Sequence, residues 1–323
     1  MNAAICTLFE GQYHYGVAAL SNSLYKQGFR GDIFVGYRGG LPNWVLSGKV
    51  ESIGKWSKAT TLNTAEGLKL IFLPLETNYS LTNYKPNFME ELWEGPAKEA
   101  DAFFYFDPDI VIDEPWSCFE EWISCGVALC EDVNSPLQEY HPRRQGWKKY
   151  FKGYGIDLFY KNQIYVNGGF IGVLKKDRSF LKLWIQVQNY MGDAIGGLEN
   201  SIFSNQTYNS TIAKRDGFQI FDKSDQDALN IAIEAFGDNV SYLGKEGMGF
   251  VAGKATMFHA LGANKPWNVN FLKKAFFGRS PRPVDDCYWR NSSSPIMVHP
   301  KSSIIRKQAS KKISKFICRF YKI

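Results

Sequence analysis

The sequence predicts an α/β fold built on a mixed, mostly parallel sheet flanked by helices, and three observations lead there. Residues 3–9 form an apolar run of strand length. After Glu10-Gly11-Gln12, the residues Tyr15, Ala18, Ala19, Leu20 and Leu24 recur at helical spacing. Gly28 and Gly31 end that helix, and residues 32–37 read as a second strand, which completes a β-α-β unit. The second observation is repetition, because strand-length apolar runs return at 69–75, 102–106, 127–130, 169–174 and 256–259. Helical stretches are expected at 87–100 and 224–235. The third is bulk: 323 residues, 45% of them hydrophobic, can bury a full core. No apolar run approaches the ~18–20 residues needed to cross a bilayer.

Charge divides the chain. Residues 301–323 hold eight Lys or Arg and no acid, whereas the rest carries 30 basic against 32 acidic residues. A slightly acidic body with a basic tail argues against a general nucleic-acid-binding surface and for one local electrostatic device. In the tail, Ile305, Ala309, Ile313, Phe316, Ile317 and Phe320 fall on one helical face, with Lys307, Lys311, Lys312, Lys315, Arg319 and Lys322 largely on the other. That is the pattern of an amphipathic helix lying on an anionic membrane surface. From Arg279, the prolines and a run of serines read as an irregular connector. The expected organisation is a domain at 1–270 followed by a connector and basic tail at 271–323.

The six cysteines show neither a CxxC pair nor a zinc spacing, so a reducing compartment is expected. The first residues lack the basic stretch of a signal peptide. Together with the tail, this places the expected protein in the cytoplasm, peripheral on the inner face of a membrane. The 15% aromatic content is what a core or a set of sugar-stacking platforms would use.

The motifs that carry chemistry begin at Asp107-Pro108-Asp109, directly after the 102–106 strand. Two carboxylates at the end of a strand can converge on one point beyond the sheet, where open α/β folds bind ligands. Such a pair suits a hard divalent cation. His259 closes another strand, and neutral imidazole is a common metal ligand. Beyond it, Gly262 allows a close backbone approach, and Lys265 offers a point charge to a phosphate. Asn167-Gly168-Gly169 opens a strand with room for a ligand. Asp225-Gln226 stands at a helix start and could face sugar hydroxyls. The segment 141–150 mixes cations and rings and reads as a loop over an acceptor. Asp-x-Asp after an apolar strand also fits a haloacid-dehalogenase phosphatase with Asp107 as nucleophile. That fold carries the motif on its first strand, whereas here several elements come first.

In combination these residues resemble a GT-A glycosyltransferase of the family 8 type, the group of glycogenin and the bacterial lipooligosaccharide galactosyltransferases. The likeness runs from Thr7-Leu8, Tyr15 and Gly16 through Lys85, Asp107-Pro108-Asp109, Asn167-Gly168-Gly169 and Asp225-Gln226-Asp227-Ala228-Leu229-Asn230 to His259-x-x-Gly262-x-x-Lys265-Pro266-Trp267. The resemblance implies a GT-A sheet plus the C-terminal basic helix. It implies Mn2+ or Mg2+ on Asp107, Asp109 and His259, and a UDP-sugar donor with Thr7, Leu8 and Tyr15 at the uridine. Lys265, beside Gly262, would hold the diphosphate and Lys85 would lie beside the donor. Asn167, Asp225 and Gln226 would contact the transferred sugar, Asp225 and Gln226 as the catalytic residues with Gln226 on the face opposite the leaving group, while Gly168 would lie at the donor and Asp132 would be a further contact. Transfer would retain anomeric configuration, to a glycan, lipid-linked glycan or protein acceptor. The stretch at Phe9-Glu10-Gly11-Gln12 departs from the small polar residues of relatives. A catalytically inactive carbohydrate-binding protein on the same fold is the non-enzymatic alternative.

Overall fold

A computed structural model describes residues 1–201 and 219–321. Its centre is the expected β-α-β unit: β1 (Ala3–Glu10), α1 (His14–Lys26) and β2 (Gly31–Arg38), with β1 and β2 parallel from Ile5–Ile33 to Glu10–Arg38. Two further parallel neighbours are β5 (Leu68–Pro74) beside β2 and β6 (Ala102–Phe106) beside β1. The side chains of these strands are almost continuously buried, as expected of strands covered on both faces.

The sheet widens on both sides. Beyond β5 comes a hairpin, β3 (Lys49–Ile53) and β4 (Trp56–Ala65), which the sequence reading did not separate from its surroundings. Beyond β6 lie β9 (Phe170–Leu174) and β8 (Val127–Cys130), both in antiparallel contact, and then β10 (Val240–Leu243). The full order is β10-β8-β9-β6-β1-β2-β5-β4-β3. A second, two-stranded sheet pairs β7 (Ile110–Ile112) with β11 (Met257–His259).

Several expectations need correction. The helix expected at 87–100 is α2 (Lys85–Glu94), which takes Pro86 into its first turn and stops at Gly95-Pro96. After α3 (Trp116–Ile123), the expected acceptor loop at 141–150 is α4 (Pro142–Lys152). There His141 caps the Arg143 amide, Pro142 begins the helix, and Arg144, Trp147 and Phe151 supply a buried stripe. α5 (Ser179–Ile195) packs on α6 (Ser224–Ala235) behind the sheet.

The expected irregular connector is largely ordered. It contains α7 (Phe271–Ala275) and α8 (Pro283–Arg290), the latter with a reciprocal Arg282–Asp285 cap. Cys287, Tyr288 and Trp289 join Ala19 of α1, Val111 of β7 and Trp267 in one apolar cluster. The basic tail forms α9 (Lys301–Cys318), with Ile304 in the same cluster. Lys307 and Lys311 turn inward rather than to solvent: Lys307 donates to the Val269 carbonyl, and Lys311 pairs with Asp286 at 3.0 Å. Ile305, Ile313, Phe316 and Phe320 are exposed, as expected of the apolar stripe. Lys322 lies outside the described residues.

Asn22 of α1 clamps this extension. Its amide donates to the carbonyls of Asn291 and Ile296 at 2.8 and 2.7 Å and accepts from the Ile296 amide at 2.8 Å. All four groups are buried. Asn22→Ala would leave three main-chain groups unpaired, at roughly 1–3 kcal/mol for each orphaned group. The expected result is a marked fall in the urea midpoint with unchanged far-UV dichroism at zero denaturant. An unchanged midpoint would show that this clamp contributes nothing.

Candidate active site

The site forms where β6 ends. Asp107 follows the strand directly, and its amide donates to the Gly169 carbonyl at 2.7 Å. Asp109 leads into β7, whose antiparallel partner β11 sets His259 opposite Ile110. The Ala260 amide donates to the Asp109 carbonyl at 3.1 Å, so a three-residue ladder fixes the imidazole beside the carboxylates. His259 Nε2 lies 3.3 Å from Asp109 Oδ1 and 3.8 Å from Asp107 Oδ2.

Glycines allow this approach. A Cβ on Gly16 of α1 would collide with the Pro108 carbonyl oxygen. One on Gly169 would lie 2.6 Å from His259 Cε1 and 2.9 Å from Nδ1. Helix and imidazole can therefore reach the Asp-Pro-Asp turn only over bare backbone.

Each carboxylate is held through one oxygen by an ammonium. Asp107 Oδ1 accepts from the Tyr105 hydroxyl at 2.8 Å and faces Lys85 Nζ at 3.1 Å. Asp109 Oδ2 accepts from Lys265 Nζ at 2.5 Å, and Lys265 also donates to the Ala260 carbonyl. The second oxygen of each carboxylate turns toward His259. Burial alone would raise the Asp109 carboxyl, but His259 and Lys265 outweigh it and hold the group well below the usual range. Lys85 is only 2% exposed. Burial acts to lower its ammonium, yet Asp107 and Asp225 reverse the balance and raise it.

Lys85 also joins the site to its second half. It donates to the Gly168 carbonyl at 2.8 Å and to Asp225 Oδ2 at 3.1 Å. Gln226 Oε1 accepts from the Gly168 amide at 3.1 Å, while its buried Nε2 has no acceptor in hydrogen-bonding geometry. Asp227 accepts from the Tyr165 hydroxyl, and Asn230 exchanges hydrogen bonds with the Val166 backbone. The first turns of α6 thus grip residues 165–168 side chain by side chain.

The structure brings together Lys85, Asp107, Asp109, Asn167, Gly168, Asp225, Gln226, His259 and Lys265. Gly262 lies on the adjoining loop at φ 77°, with nothing within 4 Å of a Cβ position. Thr7 is buried with an unpaired hydroxyl, and the Leu8 side chain belongs to the core. Tyr15 stacks on His299 at 4.8 Å, a contact supplied by the C-terminal extension. Tyr13 and Tyr105 escaped the sequence reading. Tyr13 is partly exposed and lies under Lys265, whose Nζ is 5.4 Å from the ring centroid. Nothing in the sequence distinguished Tyr13 from its neighbours. Tyr105 carried a signal, because residues two apart share a strand face and it stands two before Asp107.

One donor atom from each of Asp107, Asp109 and His259 lies within 4.8 Å of the others. Two oxygens and a nitrogen at such separations can close on one divalent ion at bonds of about 2.0–2.2 Å. The clamped oxygens leave the free ones in place, and the acceptor-rich face calls for positive charge. The residues fit the ion that the sequence led us to expect.

No protein-family model matches this sequence, and no curated protein does. Solved structures do share its fold. The chain is similar over 95% of its length to 52% of WbbM, a bifunctional glycosyltransferase, at 14% identity and TM-score 0.54. It is similar over 96% of its length to 65% of the Streptococcus pneumoniae glycosyltransferase GlyE, at 14% identity and TM-score 0.50. It is similar over 94% of its length to 99% of the galactosyltransferase LgtC, solved with donor and acceptor sugar analogues, at 12% identity and TM-score 0.50. The chain thus spans about half of WbbM and just under two thirds of GlyE. At these identities the likeness shows the fold, which is the GT-A fold of glycosyltransferases.

Lys85→Met should be the most damaging single change here. It removes the cation from between Asp107 and Asp225, and breaking a buried pair costs about 3–5 kcal/mol. The loss should be readable as a lower denaturant midpoint and should shrink when millimolar Mn2+ is added. Stability equal to the parent would show that the two carboxylates do not depend on Lys85.

Proposed function

We propose that this chain is a metal-dependent, retaining hexosyltransferase that takes a UDP-sugar donor and delivers the sugar to a glycan, a lipid-linked glycan or a protein acceptor. The observation that carries this reading is the pair of strand-end carboxylates, each held by a lysine through one oxygen and each turning the other toward His259, in a GT-A fold. Mn2+ or Mg2+ fits the donor set, and the imidazole favours a first-row transition ion.

When bound, the ion supplies positive charge to the diphosphate as the sugar–phosphate bond breaks. Lys265, with its ammonium beside the same carboxylate, adds a second positive charge for the leaving group. Gln226 presents a buried amide nitrogen beside the Tyr165 hydroxyl, a donor with a proton to offer a sugar hydroxyl. Asp225 is engaged by Lys85, and Gln226 is a weak nucleophile, so neither stands out to carry a covalent sugar intermediate. Front-face attack follows, with a diphosphate oxygen accepting the acceptor's proton.

The phosphatase reading loses its support. Asp107 follows β6 rather than a first strand, and one of its oxygens is engaged by both Tyr105 and Lys85. An inactive sugar-binding protein would bind UDP without turnover. Incubation with a panel of nucleotide sugars and Mn2+ should release UDP slowly from one UDP-sugar without any acceptor. Chelator should stop it, and Asp107→Asn with Asp109→Asn should lower the rate by several orders of magnitude. Near-normal release by the double variant at saturating donor would rule out the metal assignment.

The outward face of α9 fits the expected anionic membrane surface. No helix among the described residues is long and apolar enough to cross a membrane. Phe316 and Phe320 are 58% and 73% exposed. The structure adds Phe276 and Phe277, equally exposed after α7, where Tyr321 donates to the Phe276 carbonyl. These rings beside Lys312 and Arg319 support the reading of peripheral attachment to the inner face of a membrane. Replacing Phe316 and Phe320 together by serine should release the protein from anionic liposomes without changing its melting temperature. Undiminished sedimentation would mean that this face is not the anchor.

A further inference from the structure

Between His259 and Trp267 the chain runs through a short irregular loop, and most of its carbonyls are claimed by donors of the protein. The Leu261 amide donates to the His259 carbonyl at 3.0 Å, and the Lys265 amide to the Ala263 carbonyl at 3.0 Å. Lys265 Nζ donates to the Ala260 carbonyl at 2.7 Å, and Trp289 Nε1 to that of Pro266 at 3.2 Å. Two more, at Leu261 and Asn264, are held by one side chain of the C-terminal extension. Arg282 Nη1 donates to the Leu261 carbonyl at 3.2 Å, and Nη2 to that of Asn264 at 2.6 Å. These two carbonyls bracket Gly262, whose φ of 77° turns the chain. The exposed amides of Gly262 and Ala263 meet no acceptor among the described residues.

Local sequence presets Arg282 for this grip. Pro281 and Pro283 flank it, and a residue before proline is confined to extended backbone. Arg282 accordingly has φ −77° and ψ 158°. Asp285 is 2% exposed and accepts from Arg282 Nε and Nη2 at 3.2 and 3.0 Å, which fixes the plane of the guanidinium. A fork held along that edge has hydrogens left for two further acceptors. The loop carbonyls are those acceptors. A lysine ammonium is a point charge and lacks the fork.

We propose that Arg282 is a positioning residue for the donor's diphosphate, fixing the 261–264 turn and with it the reach of Lys265 toward the phosphates. This rests on the reading of Lys265 as the diphosphate lysine, and it adds a residue from beyond the stretch that carries the sequence motifs. In the free protein the Lys265 ammonium lies between Asp109 and the Ala260 carbonyl. Whether it also reaches a phosphate beside Asp109 depends on where the turn sets its backbone. His259 is held independently, by the ladder of β11 with β7. Loss of Arg282 therefore loosens phosphate binding and spares the metal ligands.

The test uses the full chain, with UDP titrated calorimetrically at saturating Mn2+. Arg282→Ala should weaken UDP binding about tenfold, the scale of one lost hydrogen bond to a charged group. Its Mn2+ affinity, followed by the electron paramagnetic signal of free Mn2+, should stay at the parent value. Arg282→Lys keeps the charge without the fork and should bind UDP nearly as weakly. Millimolar guanidinium chloride, far below denaturing levels, should restore part of the UDP affinity of Arg282→Ala, and sodium chloride of equal strength should not. Asp286→Asn controls for general loosening, because Asp286 holds Lys311 and Lys315 from the same helix. It should bind UDP as the parent does. Parent-like UDP affinity in folded Arg282→Ala, or an equal loss in Asp286→Asn, would overturn the assignment. Equal losses of Mn2+ and UDP affinity would overturn it too, since the whole site would then have shifted. If Arg282→Ala does not fold, Arg282→Lys decides, and parent-like UDP binding there counts against the fork. A parent that binds no UDP in the presence of Mn2+ would instead sink the proposed function, and this assignment with it.

Discussion

Lys85 is the constraint on which the site depends. Its ammonium is buried at the first turn of α2 and reaches the Gly168 carbonyl, Asp107 and Asp225. These partners belong to three separate parts of the chain. A buried ammonium costs several kcal/mol in desolvation unless it is surrounded by acceptors. Here the acceptors are the carboxylate that ends β6, the loop before β9 and the first turn of α6, so satisfying one cation fixes three elements together. The charge left over is informative. Asp107, Asp109 and Asp225 set against Lys85 and Lys265 leave one negative unit while His259 is neutral. A divalent ion would turn that into one positive unit, and the cluster would then attract a diphosphate. On the proposed reading, charge alone favours ion before nucleotide.

The rest of the fold supplies bearing surfaces for that cluster. α1 packs against the Asp-Pro-Asp turn through Gly16, and the ladder of β7 with β11 delivers His259. α1 is itself held from behind. Asn22 ties it to residues 291–296, and Ala19 lies in the cluster formed by Trp267, Tyr288 and Trp289. The C-terminal extension therefore reaches the site at second hand, through the helix that carries the turn. His299 makes the same connection more directly, by stacking on Tyr15.

The sequence made the centre of this arrangement legible and the periphery much less so. Buried strands such as residues 102–106 have no polar face to confuse the reading, and the polar residues of 224–230 sit at a helix start that periodicity alone locates. The hairpin of β3 and β4 is half exposed, with the alternation of its side chains weak, and it passed unnoticed. α4 was read as a loop because only Arg144, Trp147 and Phe151 mark its inner face, amid several exposed cations. Residue identity served as a guide to place: Asn167 and Asp132 were expected near the site and lie there, with Asn167 Nδ2 donating to Asp132 Oδ2 and Asn167 Oδ1 beside the His259 ring. Which partner each side chain meets is a property of register, not of sequence spacing.

The C-terminal helix shows the same separation between what a residue is and which way it faces. A helix whose only task was to pack would turn its apolar residues inward. α9 instead buries Ile304, Lys311, Ser314 and Cys318, and leaves Ile305, Ile313, Phe316 and Phe320 to solvent. Lys311 can be buried because Asp286 meets it, with Lys315 sharing the same carboxylate at the rim. The inner face is thus held by the Lys311–Asp286 pair, by Lys307 on the Val269 carbonyl, and by Ile304 and Cys318, while the larger aromatic area stays outside. Exposed apolar area of that extent is unfavourable in water, and contiguous patches of this kind usually mark a contact surface. Cations flank the rings, and on the proposed reading this face meets an anionic, partly apolar surface. A lipid bilayer has both properties at once, whereas a nucleic acid has only the first.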